Sequence, residues 1–363
     1  MKSFNEIFED KTKYCVKVVT SEYGENGKNI IVDQGQGDIA GYTDREEGLF
    51  SDVPVIIFGD HTRIIKYVDK PFFLGADGVK VIKCKDLNAN YKYLFYALKN
   101  ARIPDTGYNR HFKWLKAVKI KYPDYREQEK IVQILDLVND ILKKRKAEIE
   151  FLNDLTKARF VEMFGDENNS KNWDVVNVEE VADVQVGVVI KPSQYYTDKS
   201  EGVRTFRSLN IGAGFIKDID WVYFTKEGHQ KNSKSILKKD DLLIVRSGAP
   251  GTACVVTEEY AGCNAVDIII AHPDCKKVNP YYLCTFTNMP HGKKQIDEGI
   301  GGAAQQHFNV GKYNKLQLML PPKTLQDEFV GFVKQVNKSK VAVQKSLDET
   351  QLLFDSLMQK YFG

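Results

Sequence analysis

The sequence lacks the features expected of a membrane or secreted protein. No apolar run approaches the ~20 residues that a transmembrane helix needs, and the first residues, 1–6, contain no apolar signal-peptide core. Six cysteines stand at positions 15, 84, 254, 263, 275 and 284 without CxxC spacing. We interpret them as buried thiols in a reducing cytoplasm, rather than as a zinc site or a disulfide framework. We therefore expect a cytoplasmic protein with no membrane partner.

Motifs that would indicate catalysis are also scarce. Adenine methyltransferases grip a flipped base with an Asn-Pro-Pro-aromatic loop, but the nearest segment, Asn279-Pro-Tyr-Tyr282, stands where a helix is predicted to begin. The glycine pairs at 35–37 and 299–302 are too weak a signal for a cofactor loop. We do not expect His61 or His307 to bind a metal. The sequence predicts no catalytic centre, no metal and no cofactor.

What the chain does contain is an internal repeat. From Gln128 and Gln326 onward, two segments align without a gap to the glycines at 165 and 363, at a constant offset of 198. Identical pairs are Val132/Val330, Val138/Val336, Asn139/Asn337, Leu155/Leu353 and Phe164/Phe362. A repeat of this length predicts two copies of a globular domain, each followed by a long helix.

The repeat extends upstream with a changing offset. Residues 52–59 match residues 241–248, Tyr93 matches Tyr282, and His111 matches His307. The offset drifts between 189 and 198, which indicates that the two copies share their structural elements and differ in loop length. Variable loops on a constant scaffold are where recognition usually resides.

Heptad spacing of apolar residues predicts two long helices. Seven of ten heptad positions from 131 to 163 are apolar, and so are eight of ten from 329 to 361. We predict helices at about 124–163 and 324–361, each roughly 38 residues or about 57 Å long. The simplest way to bury both stripes is an antiparallel two-helix coiled coil with a globular domain at each end. The alternative is that each helix packs on its own domain.

Short β-rich runs separated by glycine-containing turns predict an α+β fold in which a mixed α/β domain occurs twice. The runs are 53–58, 63–68 and 79–83 with a helix at 91–99, then 242–246, 253–257 and 266–270 with a helix from 279. The predicted segments are a first domain at 1–122, a helix at 123–165, a second domain at 166–320 and a helix at 321–363. Phe4 aligns with Val178, so we expect the first domain to be short at its N-terminus, with its first strand missing or replaced.

The net charge of +3 says little about partners, but the distribution of charge says more. Residues 110–121 carry five basic side chains and no acid, and residues 226–239 carry five lysines against Glu227. Such stretches can follow the phosphates of a nucleic acid. Taken alone, a stretch of this kind is more often an ordinary solvated face.

Several motifs occur in the same order in both domains. In the second domain they are Asp240-Asp-Leu-Leu-Ile-Val-Arg-Ser-Gly248, the glycine-rich segment 299–308, and the Pro321-Pro322 junction before Gln326. The first domain carries cognate pieces at 59–63, 120–123 and 127–128. In this order, the motifs resemble the target recognition domains of type I restriction-modification specificity subunits. The resemblance covers nearly the whole chain.

The resemblance implies a non-catalytic subunit that recognises a bipartite site in double-stranded DNA. Each domain would read one half-site, and the coiled coil would set the spacer between them. It also implies two modification (adenine methyltransferase) subunits packed on the helices, and a restriction subunit that drives cleavage with ATP. The alternatives are a specificity component of a stand-alone DNA methylation system, a coiled-coil scaffold that does not bind DNA, and an enzyme with an unrecognised site.

Candidate DNA-reading residues follow from the chemistry of base edges. Arginine and lysine suit guanine, asparagine and glutamine suit adenine, and acidic side chains suit cytosine. In the first domain the candidates are Gln34, Gln36, Tyr42, Asp60, His61, Arg63, Asn109, Arg110 and His111. In the second they are Arg204, Arg207, Arg246, Ser247, Gln305, Gln306 and His307. We expect Arg246 to project from the domain edge, with Arg204 and Arg207 one strand away.

Overall fold

The computed structural model describes residues 1–75, 77–107, 109–300 and 308–363. The chain forms two compact units. Unit 1 comprises Met1–Ala147 and Gln344–Gly363, and unit 2 comprises Glu148–Val343. Each long helix therefore contributes one part to each unit. No helix in the described ranges has the length and apolar character needed to cross a membrane.

The secondary structure is a mixture of short strands and helices, with one long helix after each set. The helices are α1 (Phe4–Ile7), α2 (Tyr91–Lys99), α3 (Phe112–Lys116), α4 (Tyr125–Phe164), α5 (Lys226–Lys231), α6 (Pro280–Asn288), α7 (Pro290–Ile300), α8 (Val310–Asn314) and α9 (Lys323–Phe362). The strands of unit 1 are β1 (Lys2–Ser3), β2 (Phe8–Asp10), β3 (Asn29–Val32), β4 (Gly41–Thr43), β5 (Val55–Gly59), β6 (Ile65–Val68), β7 (Phe72–Leu74), β8 (Val79–Cys84) and β9 (Lys119–Ile120). Those of unit 2 are β10 (Val175–Asn177), β11 (Ala182–Val186), β12 (Tyr196–Thr197), β13 (Val203–Phe206), β14 (Ile211–Gly212), β15 (Phe215–Ile216), β16 (Val222–Phe224), β17 (Leu242–Val245), β18 (Ala253–Val255), β19 (Asn264–Ala265), β20 (Ile268–Pro273) and β21 (Gln317–Met319).

The two units have the same sheet topology, which confirms the predicted α+β repeat. The main antiparallel sheet has the order β2-β8-β5-β6 in unit 1 and β11-β20-β17-β18 in unit 2. The smaller sheet, β4-β3-β7, corresponds to β16-β13-β19, and in both the last pair is parallel. A two-stranded ladder, β1-β9 or β10-β21, leads into each long helix. Unit 2 adds β12 and the β14-β15 hairpin.

One inner strand of each main sheet, β5 in unit 1 and β17 in unit 2, is called the central strand below. It is apolar along its length because both of its faces are buried. Ile56 and Phe58 of β5 face the core that contains α2. Val55 and Ile57 face a second core shared with the smaller sheet. Strand β17 alternates in the same way between two cores. A short continuous apolar run is the sequence pattern that such a strand requires.

The strand pairing corrects the alignment of the central strands. Ile82 of β8 and Ala271 of β20 hold equivalent places against β2 and β11. Their partners on the central strands are Ile56 and Leu242. The sequence alignment of these strands is therefore wrong by three residues. Apolar runs have no internal landmark, so several registers fit the pattern equally well.

The expectation that unit 1 lacks its first strand is also wrong. Strand β1 pairs Ser3 with Lys119, just as β10 pairs Asn177 with Gln317. Each strand then ends in a capping box, in which the Ser3 N–H donates to Glu6 at 2.6 Å and the Asn177 N–H donates to Glu180 at 2.8 Å. The strand of unit 1 has two residues, too few to give a periodic signal.

The long helices each span 40 residues, close to the predicted length. In unit 1, the first half of α4 buries Leu135, Val138 and Leu142 in a core that also holds Phe354 and Met358 from the end of α9. The beginning of one helix thus packs with the end of the other. The same core contains α2, so the helices pack on the globular part as well as on each other.

Unit 2 repeats this arrangement with the opposite ends of the helices. Phe160 and Phe164 of α4 lie 5.5 and 5.3 Å from the ring of Phe329, near the start of α9. Phe160 also stacks on Tyr282 of α6 at 5.7 Å. Both units therefore confirm antiparallel pairing. The two phenylalanines are not at predicted heptad positions, because here the helix turns its buried face toward the globular core.

Candidate nucleic-acid interface

In each unit, turns from both sheets meet the segment that precedes a short helix. At the end of the central strand, the carbonyl of Asp60 accepts a hydrogen bond from the His111 N–H at 2.8 Å. In unit 2 the carbonyl of Arg246 accepts one from the Phe308 N–H at 3.0 Å. With the corrected strand register, Asp60 and Arg246 are equivalent residues. The scaffold thus presents the same turns twice with different side chains.

Asp60 and His111 form a buried link in unit 1, and their exposed fractions are 3% and 0%. An Asp60 carboxylate oxygen accepts the Phe112 N–H at 2.7 Å. His111 Nδ1 donates to the Asp60 carbonyl at 2.9 Å, which leaves Nε2 to accept from Thr106 Oγ1 at 3.3 Å. Both side chains are occupied in fixing the segment before α3.

Gln34 connects three turns of unit 1. Its amide nitrogen donates to the Asp77 carbonyl at 2.9 Å, and its amide oxygen accepts the His61 N–H at 3.3 Å. Its own carbonyl accepts from Thr62 Oγ1 at 2.9 Å. Gly78 has a φ of +83°, and a Cβ there would stand 2.6 Å from the His61 ring. This crowding requires glycine at position 78 and fixes the turn against His61.

Charged side chains surround the same turns. Arg63, at a φ of 61°, donates to the Asp105 carboxylate at 2.7 Å. The Gly107 N–H and Arg63 together lower the pKa of Asp105. An ion pair with Lys17, followed by the more distant charge of Arg110, lowers the pKa of Asp77. The structure therefore places Arg110 and Lys17 near the turn that Gln34 holds.

The remaining candidates of unit 1 differ in position. Gln36, Asn109 and Arg110 are exposed to solvent. Tyr42 is half-buried on β4, the edge strand of the smaller sheet on the side away from β7. The structure thus brings Gln34, Asp60, His61, Arg63, Arg110 and His111 together and leaves Tyr42 apart.

Arg246 of unit 2 lies back on its own domain instead of projecting from the edge. Its guanidinium pairs with the Asp267 carboxylate, and its Nε donates to the Phe308 carbonyl at 3.3 Å. The side chain is only 17% exposed. The Asp267 N–H donates in turn to the Val188 carbonyl at 3.1 Å. Arg246 therefore ties together the turn before β20 and the segment before α8.

Arg204 lies on β13 of the smaller sheet and Arg207 directly follows that strand, so the expectation that they lie one strand from Arg246 is wrong. The Arg204 guanidinium lies 5.2 and 5.5 Å from the ring centres of Trp221 and Tyr260. Arg207 donates to the Asp220 carbonyl. Both arginines are engaged within the unit, and whether either touches DNA stays a prediction.

A groove of about 460 Å³ lies in unit 2 beside Arg246, between the end of β17 and the β14-β15 hairpin. Its lining includes Ser208, Lys217, Ser247 and Gly248. Phe215, on the β14-β15 hairpin, also lines the groove and is 58% exposed. The sequence reasoning missed Lys217 and Phe215, although the Gly212-Ala-Gly214 turn before Phe215 is a hairpin signal. The candidates Gln305, Gln306 and His307 lie outside the described residues.

Four of the six cysteines are buried, as the sequence interpretation predicted, whereas Cys15 is half-buried and Cys275 is exposed. All six are free thiols, and Cys84, Cys254, Cys263 and Cys284 are buried. Burial raises the pKa of Cys84, Cys254, Cys263 and Cys284.

One protein-family model matches both halves of the chain. The model described as type I restriction modification DNA specificity domain matches residues 2–151 and 170–350.

Curated relatives are specificity subunits of type I restriction enzymes. The chain is 30% identical over 155 residues to the EcoR124I/EcoR124II specificity subunit of Escherichia coli, which covers 39% of this chain and 38% of that protein. It is 28% identical over 197 residues to the MjaVIII specificity subunit of Methanocaldococcus jannaschii, which covers 47% and 46%. Less than half the length of each relative is therefore matched.

Two solved structures share the fold over nearly the whole chain. The S subunit of a type I restriction-modification system from M. genitalium has a TM-score of 0.62 at 18% identity, with 100% of this chain and 95% of that chain covered. A chain from a study of type I R-M complex assembly has a TM-score of 0.53 at 15% identity, with 99% and 96% covered. The family match spans most of the chain, in two copies that coincide with the structural repeat. The chain belongs to the type I restriction modification DNA specificity domain family.

Proposed function

We propose that this protein is the DNA sequence-recognition subunit of a type I restriction-modification complex. Each of its two units reads one half of a bipartite site in double-stranded DNA. The observation that carries the proposal is the twofold occurrence of one scaffold whose converging turns differ in side chains, as at Asp60 and Arg246. A constant scaffold with variable turns suits the reading of two different short sequences.

We assign the target recognition domains to residues 1–122 and 166–320, and the spacer elements to 123–165 and 321–363. In this account the helices fix the number of base pairs between the half-sites. The antiparallel packing within each unit supports the assignment. One end of each helix packs in the core of unit 1, and the other end packs in the core of unit 2.

The candidate contacts fall into two groups. Exposed Gln36 and Arg110 are available to donate hydrogen bonds to bases or phosphates, and exposed Asn109, whose Nδ2 already donates to the Thr106 carbonyl, has its second amide hydrogen and its amide oxygen to offer. Asp60 and His111 are buried, and we assign them to holding the reading turns in place. Gln34, Tyr42, His61 and Arg63 are half-buried, and contact through their remaining exposed atoms stays a proposal.

In unit 2, the corresponding contacts come from the groove and its rim. Ser247 and Lys217 line the groove, and the predicted Gln305, Gln306 and His307 precede Phe308, which Arg246 holds. We assign Arg246 to positioning this segment, with its guanidinium shared between Asp267 and the Phe308 carbonyl. Arg204 and Arg207 remain proposed contacts at the smaller sheet.

Chemistry on the DNA would come from partner subunits. We propose that two adenine methyltransferase subunits and one restriction subunit with an ATP-driven motor complete the assembly, and that this chain supplies no catalytic centre and holds no cofactor. Because the proposed target is DNA, we place the complex in the cytoplasm of a prokaryotic cell.

An exposed apolar face on α4 suits the docking of a methyltransferase subunit. Ile134, Leu137 and Ile141 are 40%, 63% and 38% exposed and recur at helical spacing. They lie roughly a third of a turn from the buried stripe that contains Leu135 and Leu142. Aligned apolar side chains of this kind are typical of the centre of a protein interface.

The experiment that tests the proposed function is methylome sequencing of cells that express the chain with its cognate modification subunit. The expected result is adenine methylation in two short motifs separated by a fixed non-specific spacer. Cells with the modification subunit alone are the control and should show no such motif. Methylation of one undivided motif, or none above the control, would contradict the proposal.

A further inference from the structure

Both units expose a valine at the same point of the fold. The Val18 N–H donates to the Leu74 carbonyl at 2.9 Å, and the Val188 N–H donates to the Ala265 carbonyl at 2.9 Å. Leu74 and Ala265 end the equivalent parallel strands β7 and β19. The residue after each anchored valine is again valine, and Val19 and Val189 are 57% and 47% exposed.

The equivalence continues on both sides of this position. A 3-10 helix follows in each unit, at Thr20–Glu22 and Pro192–Tyr195. Unit 2 inserts Ile190 and Lys191 before its helix, and Ile190 is 80% exposed. A single exposed valine needs no explanation. Two at the same point of a repeat whose loops differ in length and sequence suggest a shared role.

The exposed valines stand beside the proposed reading turns. In unit 2, the carbonyl of the preceding residue, Val188, accepts the N–H of Asp267, which pairs with Arg246. In unit 1, Lys17 pairs with Asp77, whose carbonyl accepts from Gln34. The position therefore sets an apolar tip beside a turn that carries an ion pair, Lys17 with Asp77 in unit 1 and Arg246 with Asp267 in unit 2.

We propose that Val19 and Val189 each contact the C5 methyl group of a thymine in the half-site read by their own unit. The proposal rests on the DNA-recognition function proposed above. In the major groove, the thymine methyl is the apolar feature of a base edge, and small apolar side chains select it. An isopropyl group held outward on an anchored backbone can make that contact without refolding. The valines thus help to determine the base at one position of each half-site.

Deoxyuridine provides the test because it differs from thymidine only by the missing C5 methyl group. With the motif known from methylome sequencing, each half-site thymine is replaced singly by deoxyuridine, and binding by the complex of this chain with its modification subunit is measured. One replacement in each half-site should weaken the parent about fourfold, as expected for one buried methyl-sized group. With Val19→Ser, this ratio should fall to about one in one half-site and persist in the other. Val189→Ser should do the reverse.

Controls separate this contact from general weakening. Val175→Ser changes a valine on β10 that is 50% exposed, and it should leave both ratios unchanged. Val19→Ala and Val189→Ala keep an apolar methyl group at the β position, without the hydroxyl of serine, and should give intermediate ratios if the serine variants bind too weakly to measure. The inference is overturned if the parent methylates a bipartite motif but the serine or alanine variants keep its thymine-to-deoxyuridine ratios. Failure of the parent to methylate any bipartite motif would instead refute the proposed function.

Discussion

Asp60 and Arg246 occupy the same position in the two units, at the end of the central strand, but carry opposite charges. Each carbonyl accepts a hydrogen bond from the segment before a short helix, at 2.8 Å from His111 and 3.0 Å from Phe308. Each side chain also fastens that segment, through the Phe112 N–H in unit 1 and the Phe308 carbonyl in unit 2. The backbone arrangement is conserved between the units while the side-chain chemistry has changed. Such a position can alter what a turn presents without altering the scaffold.

Replacing Asp60 should destabilise unit 1. Asp60→Ala leaves the buried Phe112 N–H without its acceptor, so we expect the free energy of unfolding to fall by about 1–3 kcal/mol. Asp60→Asn keeps an acceptor oxygen and should cost less. Urea denaturation of the full chain measures both. Equal, small effects of the two variants would show that the carboxylate does not hold the segment before α3.

Replacing Arg246 should affect one half-site only. Arg246→Ala removes both the pairing with Asp267 and the hydrogen bond to Phe308, so the segment before α8 loses its anchor. We expect discrimination at the half-site of unit 2 to fall by roughly 1–3 kcal/mol, the size of one good base contact, with the other half-site unchanged. Methylated motifs and binding to single-base variants of the site measure this.

Asp267→Asn distinguishes the two roles that Arg246 could have. If Arg246 positions the segment through Asp267, the two single variants have similar effects and the double variant adds little. If Arg246 contacts a base directly, Asp267→Asn leaves discrimination nearly intact. The second outcome would argue against the positioning role assigned here.

A charge on the exposed face of α4 should weaken docking of the modification subunit. Leu137→Glu places a carboxylate in the middle of that face, and we expect the Kd for the modification subunit to rise at least tenfold, in the range of an interface hot spot. Leu87→Glu is the matched control, since Leu87 is 93% exposed in the turn after β8. Calorimetry on the two subunits supplies the Kd. Equal effects of the two substitutions would show that the α4 face is not the docking surface.

The sequence predicted the elements with strong periodicity and missed those decided by tertiary packing. The heptad stripes predicted both long helices, and the continuous apolar runs predicted β5 and β17. The register between those runs failed because it depends on pairing partners, such as Ile82, that a sequence pattern does not identify. Burial of Phe160 was missed because the helix face there is set by the globular core rather than by the heptad.

The candidate site was predicted less well than the fold. Residue chemistry singled out Arg246 and Asp60, yet both have local partners that only the folded chain brings near, Asp267 and Phe112 respectively. Polar residues with suitable chemistry serve both to read a ligand and to hold a turn, and sequence alone does not separate these uses. The exposed Val19 carried no polar signal and became visible only through its equivalence to Val189.

We propose above that the chain reads two half-sites at a distance set by its long helices. Inserting seven residues into each helix at the boundary between the units, after Ala147 and after Val343, leaves the packing inside each unit intact and keeps the heptad phase. Each helix becomes about 10 Å longer. Because B-DNA rises about 3.4 Å per base pair, the preferred spacer should grow by roughly three base pairs. Those base pairs also rotate one half-site by about 100° relative to the other, so activity should fall as the spacer shifts.

Methylome sequencing of the insertion variant beside the parent tests this claim most directly. We expect both half-site sequences to stay the same and the spacer to lengthen by about three base pairs. An unchanged spacer with full methylation activity would contradict the claim, because the distance between the half-sites would then be set by something other than the two long helices.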